Sequence, residues 1–323
     1  MRNAGSWNSR PAGLLLLAAT LFAPTAARAQ AWLPDPGRGS LYFGYEYARA
    51  HWTLFPYDVT GVKFPPYTGG PGNKSAEGEH YGQYATADLD YGIRQGLAVT
   101  MHFAYVDSRY NGLRPHKDPT GEIEEVDDGN WHGSIQDAEV GVHQTVLRAP
   151  FVATPFVAYL FPISRYQSIG HAAVGHHLRE LKLGAALGRT LRPLLPDAYA
   201  QATYTYSVAE READHSIHRN GVDMELGYYV TSRLSLKGAA SYVRSSGGIE
   251  WYRFSTEFKR YNFYHDRLAN ERSWRVGGGA GYALTPRYSL YALGIATVWG
   301  ANTHAANMFA TGVGWNFATP WAP

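Results

Sequence analysis

Apolar and polar residues alternate with a period of two along most of this chain, and no helical period is sustained over a comparable stretch. About twelve such segments can be marked: 40–53, 80–93, 96–110, 132–147, 150–163, 177–191, 197–209, 217–231, 233–246, 272–285, 287–299 and 304–317. Their connectors alternate in length. Arg94-Gln95, Leu147 to Pro150, Ser232 and Pro286 are short, whereas 54–79, 111–131, 164–176 and 247–271 are long. An even number of strands joined by alternating short and long links is the pattern of a membrane-crossing cylinder. The fold expected is all-β: a transmembrane up-and-down antiparallel β-barrel of about 12 strands over 40–317.

The strand faces sharpen that expectation. In 217–231 one face carries Val222, Met224, Leu226, Tyr228 and Val230, and the other Arg219, Asp223 and Glu225. In 132–147, Ala138, Val140, Val142 and Val146 oppose Asp137, Glu139 and His143; in 177–191, Leu181, Leu183 and Leu187 oppose Glu180 and Lys182. Isolated charges are costly in hydrocarbon, so the polar face must be wet or paired across strands. It comprises Glu46, Asp88, Asp90, His102, Asp137, Glu139, His143, Glu180, Lys182, Arg219, Asp223, Glu225, Lys237 and Arg275. These are the expected lumen residues, either bracing the wall as salt-bridge ladders or orienting a passing solute. A soluble sandwich also alternates but puts its charges outward, so the readings differ in which face is wet. Ala- and Gly-rich apolar faces favour lipid over a packed core. So do Tyr42, Tyr91, Trp251, Trp274, Tyr282, Tyr288, Trp299 and Trp315 near strand ends, read as interfacial girdles.

The first 29 residues read as a secretory signal. Arg2 and Arg10 precede an apolar core centred on Leu14 to Leu17, and Ala27-Arg28-Ala29 is a small-x-small cleavage site. Residues 30–39 would then be a periplasmic segment and 318–323 a tail. Losing the three signal arginines turns the formal charge of +2 into −1, which leaves no electrostatic footprint for nucleic acid. With no cysteine, disulfides, thiolate metal sites and cysteine catalysis are excluded. The last strand ends Val313-Gly314-Trp315-Asn316-Phe317, and a terminal strand with an aromatic end resembles the signal read by the barrel-assembly machinery.

Two sets of residues within this architecture have the makings of catalytic constellations. Asp137 with Glu139, and Asp223 with Glu225, lie two apart on one face, about 6.5–7 Å along a strand, not far from glycosidase spacing. His132 and Ser134 share a face, the lipid face by register, and Asn111 has lipid-facing parity nearby. A His–Ser–Asn set there would resemble an outer-membrane lipid hydrolase, with His activating Ser and Asn orienting His. The 13 histidines show no His-Glu-x-x-His motif, and His171, His176, His177, His215 and His218 read as solvated loop residues, so no metal or cofactor is expected. Gly277, Gly279 and Gly281 share one face, marking a bend or a close approach.

Three long loops stand out. Loop 54–79 is Gly- and Pro-rich. Loop 111–131 carries Glu122, Glu124, Glu125, Asp127 and Asp128, an acidic run that is solvated or holds divalent ions bridging lipopolysaccharide. Loop 247–271 is aromatic and basic, with Trp251, Tyr252, Phe254, Tyr261 and Phe263 as expected entrance residues. It either folds inward over the mouth or extends two strands beyond the membrane.

The run Ser134-Ile135-Gln136-Asp137-Ala138-Glu139-Val140-Gly141-Val142, then Pro150 to Pro162, then 181–191, resembles the outer-membrane barrel family named for the meta-pathway of phenol degradation. Asp137 and Phe161-Pro162 match that pattern in kind, and Gln136 stands where Gly is common. The similarity spans roughly residues 80–300 and implies an uptake channel for aromatic compounds. Segment 30–39 is short beside the plug of long-chain fatty-acid transporters. The expected protein is a non-enzymatic outer-membrane channel for small amphipathic or aromatic solutes. Its expected partners are outer-membrane lipid, lipopolysaccharide and the barrel-assembly machinery. The alternatives are the lipid hydrolase and a non-conducting structural barrel.

Overall fold

A computed structural model describes residues 31–56, 73–75, 78–112, 127–251, 256, 260 and 262–322. Residues 1–30, which include the expected signal, and much of three long loops lie outside these residues. The strands are β1 (Arg38–Phe55), β2 (Asn73–Ser75), β3 (Gly78–Arg94), β4 (Leu97–Gly112), β5 (His132–Ile135), β6 (Ala138–Gln144) and β7 (Val152–Phe161). They continue as β8 (Glu180–Thr190), β9 (Ala198–Ala209), β10 (His218–Tyr229), β11 (Leu234–Ser246), β12 (Arg272–Ala283), β13 (Tyr288–Ala301) and β14 (Thr303–Ala318). Each neighbour pair is antiparallel, and β14 pairs with β1 from Arg38↔Ala318 to Leu54↔Thr303, which closes the sheet. The short β2 adds only to the tip of β1, and β5 and β6 share one position beside β4. The wall is therefore a closed barrel of 12 strands.

Closure leaves the 12-strand body of the sheet without an edge, the condition for a strand wall in lipid, and among the described strands only β2 and β5 at the rim pair on one side alone. The outer surface is apolar: Phe43, Phe103, Val142, Leu181, Leu183, Leu187, Leu226, Val276, Val298 and Phe309 all point out. Their strand neighbours point in, and Glu46, Asp90, Glu139, Glu180, Glu225 and Lys237 are buried from the outer surface. Trp274, Tyr282, Tyr288 and Trp315 are outward as girdle residues should be, but Tyr42 and Trp251 are each 2% exposed and lie inside. Tyr42 shares the inward parity of Glu46 on β1. Gly277 and Gly279 mark a close approach, because a Cβ there would stand 2.3 Å from Gly294 O and 2.2 Å from Ala292 O of the adjacent β13.

One register prediction is corrected. Tyr105 pairs with Ile135, yet His102 pairs with Glu139, so the wall strand gains one residue between β5 and β6. Such a bulge at Gln136-Asp137 inverts side-chain parity above it. Ile135 points out, whereas Ser134 and His132 sit opposite the inward Val106 and Ser108.

The rim is uneven. β7 has 10 residues and β8 has 11, against 16 in β14, 18 in β1, 17 in β3 and 16 in β4. The extra length is all at the long-loop end. The connection 162–179 and the described residues 262–271 turn inward rather than extending as strands, and both contribute to the lumen lining. Leu178, Ile249 and Leu268 are fully buried with Ala209 and Ile217 at the tip of the β9–β10 hairpin.

Candidate functional site

Two adjoining cavities fill the lumen. The upper, at the long-loop end, holds about 620 Å³ and includes His80, Tyr84, Asp137, Trp251, Arg275 and His304 in its lining. The lower holds about 250 Å³ and includes Asp88, Asp90, His143, Phe156, Glu180 and Arg219. His102, Glu139, Lys182 and Asp223 line both and so form the waist between them. Alternation places most of these groups here, on the inward parity of strands whose other face is apolar, whereas Trp251 comes from the β11–β12 loop and Asp137 from the bulge between β5 and β6.

Most of the expected lumen charges are brought together, and in pairs. Lys182 Nζ donates to Glu139 Oε2 at 2.6 Å, and His102 Nδ1 lies 2.6 Å from Asp88 Oδ1. Arg219 donates to Glu180, and Arg275 to Glu271 at 3.1 Å. Lys237 Nζ reaches Glu225 Oε2 at 3.4 Å with both side chains almost fully buried, and Tyr199 and Gln201 donate to the same carboxylate at 2.7 and 3.0 Å. His143 stacks on Phe156 and meets Thr100 at 3.2 Å. Glu46 and Asp90 are buried on the lumen side. Each of Lys182, Arg219, Lys237 and Arg275 is thus matched to a carboxylate, which lowers the cost of placing it in a narrow lumen, and the carboxylates of the lining outnumber these four cations. The paired carboxylates are committed to such donors: Asp137 accepts from Tyr166 at 2.5 Å, and Glu139 and Glu225 from the lysines. Burial, then the Asp137 contact, pushes the Tyr166 phenol well above its ordinary value, so it remains a donor.

The lipid-hydrolase set does not assemble. His132 and Ser134 have lumen parity because of the bulge, while Asn111 is exposed on the opposite parity. His132 Nε2 lies 3.0 Å from Asp128, and the Ser134 hydroxyl lies 3.0 Å from Ser164 Oγ. Asp128 is held down at about 2, first by hydrogen bonds from Asn130 and then by His132. Asp127 turns inward and accepts from the amides of His171 and Ala172 at 2.8 and 2.9 Å, so it fastens a loop rather than facing lipopolysaccharide. Glu122, Glu124 and Glu125 lie outside the described residues.

Of the expected entrance residues, Trp251 lines the upper cavity, with Nε1 donating to His265 O at 2.9 Å. Phe263 is half-buried, and Tyr252, Phe254 and Tyr261 lie outside the described residues. Two features have no counterpart in the sequence reading. Ala31 to Asp35 crosses the short-turn end: Thr154 Oγ1 donates to Ala31 O at 2.7 Å, Ala31 N to Gln201 Oε1 at 3.3 Å, and Trp32 packs edge-on against Tyr199. On the far side, Gly37 N donates to Gly92 O at 2.8 Å. Four histidines, His80, His171, His265 and His304, gather with Asp266 at the top of the lumen rather than standing in solvent. Burial pushes the Asp266 carboxyl up, but His265, His304 and His171 outweigh it and hold the group well below the carboxylate range. Inward parity shared with Asp88 was the one available signal for His80.

No protein-family model matches the chain, and no curated protein matches it in sequence. Its fold is similar to the crystal structure of an outer membrane channel from Pseudomonas putida F1, with TM-score 0.63 and 11% identity over 92% of this chain and 100% of that one. Further structures are the translocator domain of autotransporter NalP from Neisseria meningitidis (TM-score 0.49, 11% identity, 88% of this chain, 90% of that) and the NanC porin (0.45, 10%, 85% and 98%). At such identities the likeness is one of fold: the chain is an all-β, closed antiparallel barrel of the outer-membrane type.

Proposed function

We propose that this protein is an outer-membrane channel that passively admits small amphipathic or aromatic solutes. The observation carrying the reading is the lumen itself: two adjoining cavities share four polar residues at a waist, inside a wall whose outer face is apolar. Lys182, Arg219, Lys237 and Arg275 are each held by a carboxylate, which weakens their grip on a passing solute, and conduction needs binding weak enough for release. Trp251 and Tyr84 beside the paired charges of the upper cavity offer rings to an aromatic solute and polar atoms to its substituents. The resemblance to the meta-pathway barrel family and the fold of the Pseudomonas channel point the same way. In this reading the apolar wall contacts lipid and lipopolysaccharide, and the strand ending at Phe317 is presented to the assembly machinery.

A second reading, a non-conducting structural barrel, draws on the segment 31–35 across the short-turn end. Planar-bilayer recording separates the two. The channel reading expects discrete conductance steps, and faster swelling of protein-loaded liposomes in benzoate or phenol derivatives than in a disaccharide. Absence of steps with correctly folded protein, at all voltages and after removal of residues 31–35, sinks it.

A further inference from the structure

The histidine cluster is unused by the channel reading and is built from four separate parts of the chain. His80 lies at the top of β3 and His304 at the top of β14, on either side of β1. His171 comes from the 162–179 connection, and His265 with Asp266 from the 247–271 loop. One nitrogen from each of His80, His171 and His304 falls within 4.8 Å of the others, and His171, His265 and Asp266 form a second such trio. Asp266 stands at the junction. Its Oδ2 is 2.9 Å from His171 Nδ1, and its Oδ1 is 3.1 Å from His304 Nε2 and 3.3 Å from His265 Nε2.

We propose that this cluster is a binding site for a divalent first-row transition metal of the zinc or copper kind. His80, His171 and His304 supply the imidazole nitrogens, and Asp266 is the positioning residue behind them. Three arguments support it. A neutral imidazole suits zinc, copper and nickel far better than the hard cations magnesium and calcium, and this chain has no thiolate to compete. Ligating histidines regularly give their second ring nitrogen to a carboxylate, which fixes tautomer and ring orientation; Asp266 stands in that relation to His171. Finally, ligands bound at about 2.0–2.1 Å in a tetrahedron stand roughly 3.3 Å apart, so a cluster already inside 4.8 Å closes with small side-chain shifts.

The location gives the ion a consequence. His80 and His304 belong to the wall strands, whereas His171 belongs to the 162–179 connection and Asp266 to the segment 262–271, both of which help line the upper cavity. A cation shared among them ties the segments 162–179 and 262–271 to the wall, and its affinity is higher for the arrangement that brings the ligands together than for any that separates them. The metal is thus a clasp between these two segments and the wall. Binding can be read on a barrel that does not conduct, so this inference stands or falls separately from the channel reading.

The test uses the full mature chain in detergent, purified without a polyhistidine tag and stripped with EDTA. Titration calorimetry with zinc chloride is expected to show one high-affinity equivalent. One copper equivalent is expected to show nitrogen hyperfine structure in its electron paramagnetic resonance spectrum. His171→Gln and His304→Gln should each weaken binding at least tenfold. Asp266→Asn, which removes no imidazole, should weaken it about 10–100-fold. The control His51→Gln should change nothing. Heat-modifiable migration in gels confirms that each variant is folded, and zinc should slow tryptic cleavage of loop 247–271 in the wild type but not in His171→Gln. The proposal is overturned by the absence of stoichiometric zinc or copper binding, by equal binding in the folded His80→Gln/His304→Gln double variant, or by preference for calcium over zinc.

Discussion

Asn302 is the point at which the inward loop is fastened, and its removal is a measurable perturbation. It links β13 to β14 with φ of 53°, a left-handed conformation that Asn adopts more readily than most residues. It is fully buried. Its Oδ1 accepts from Trp251 N at 2.9 Å, and its Nδ2 donates to Glu250 Oε2 and to Asn270 O, each at 2.7 Å. Three bonds therefore hold both ends of loop 247–271. Asn302→Gly keeps the backbone conformation and removes all three. At about 0.5–1.5 kcal/mol net apiece, the covered state loses roughly 1.5–4.5 kcal/mol, or about ten- to a thousandfold in released loop. Asn302→Ala adds about 1–2 kcal/mol for a Cβ in the left-handed region. Asn302→Asp keeps the acceptor for Trp251 but sets a second carboxylate against Glu250, and should resemble Ala more than wild type. Trypsin reports the population through Arg253, Lys259 and Arg260 in the loop sequence, since cleavage follows the open fraction when closing is fast. The rate order should be wild type, then Gly, then Ala and Asp. Wild-type cleavage in Asn302→Gly would refute the reasoning. So would loss of the heat-modifiable barrel in that variant, because the bonds would then hold the wall rather than the loop.

Three further outcomes follow from the same geometry. Lys237→Met leaves the buried Glu225 carboxylate without its cation and should cost about 3–5 kcal/mol, read as a lower temperature for loss of heat-modifiable migration. Adding Glu225→Gln should recover most of it, and a silent single variant would mean the pair is not coupled. Deleting residues 31–35 opens the short-turn end and should raise single-channel conductance several-fold, with Thr154→Val giving a smaller rise or more frequent fluctuations; identical traces would place the narrowest point elsewhere. At the outer rim, Asp128 is held at about 2 in the fold against an ordinary 3.8, so its contribution is present above about 4 and lost as pH falls through about 2. Hydrogen exchange at the Asn130 amide should not rise between pH 7 and 5 beyond its intrinsic chemistry, and a rise in that window would contradict the assignment.

The wall was legible because every strand repeats the same constraint. Val222 to Val230 and Leu181 to Leu187 each fix a lipid face, and a one-residue slip would put Glu225 or Glu180 into hydrocarbon. The same rule failed at β5. Its four residues include a single apolar side chain, Ile135, too little to declare a face independent of β6. The extra residue at Gln136-Asp137 was therefore silent, and His132 and Ser134 were carried to the wrong side. Tyr42 was assigned to the girdle on residue type, although Glu46, four positions along the same strand, already gave its parity. The histidine cluster was beyond reach for a different reason. His80 and His304 become near neighbours only through closure of β14 on β1, and His171 and Asp266 arrive by loop packing that no period encodes.

The unequal strand lengths have a consequence for traffic at the cell surface. Crossing the hydrocarbon takes about 9–11 residues, so β7 and β8 stop near its boundary while β1, β3 and β14 climb on by roughly 20 Å. The molecule carries a parapet over one flank and a threshold on the other. Anything moving along the membrane surface meets a lower step above β7 and β8 than above β1, β3 and β14, and the side of easiest approach is set by the height of the masonry before any side chain is consulted.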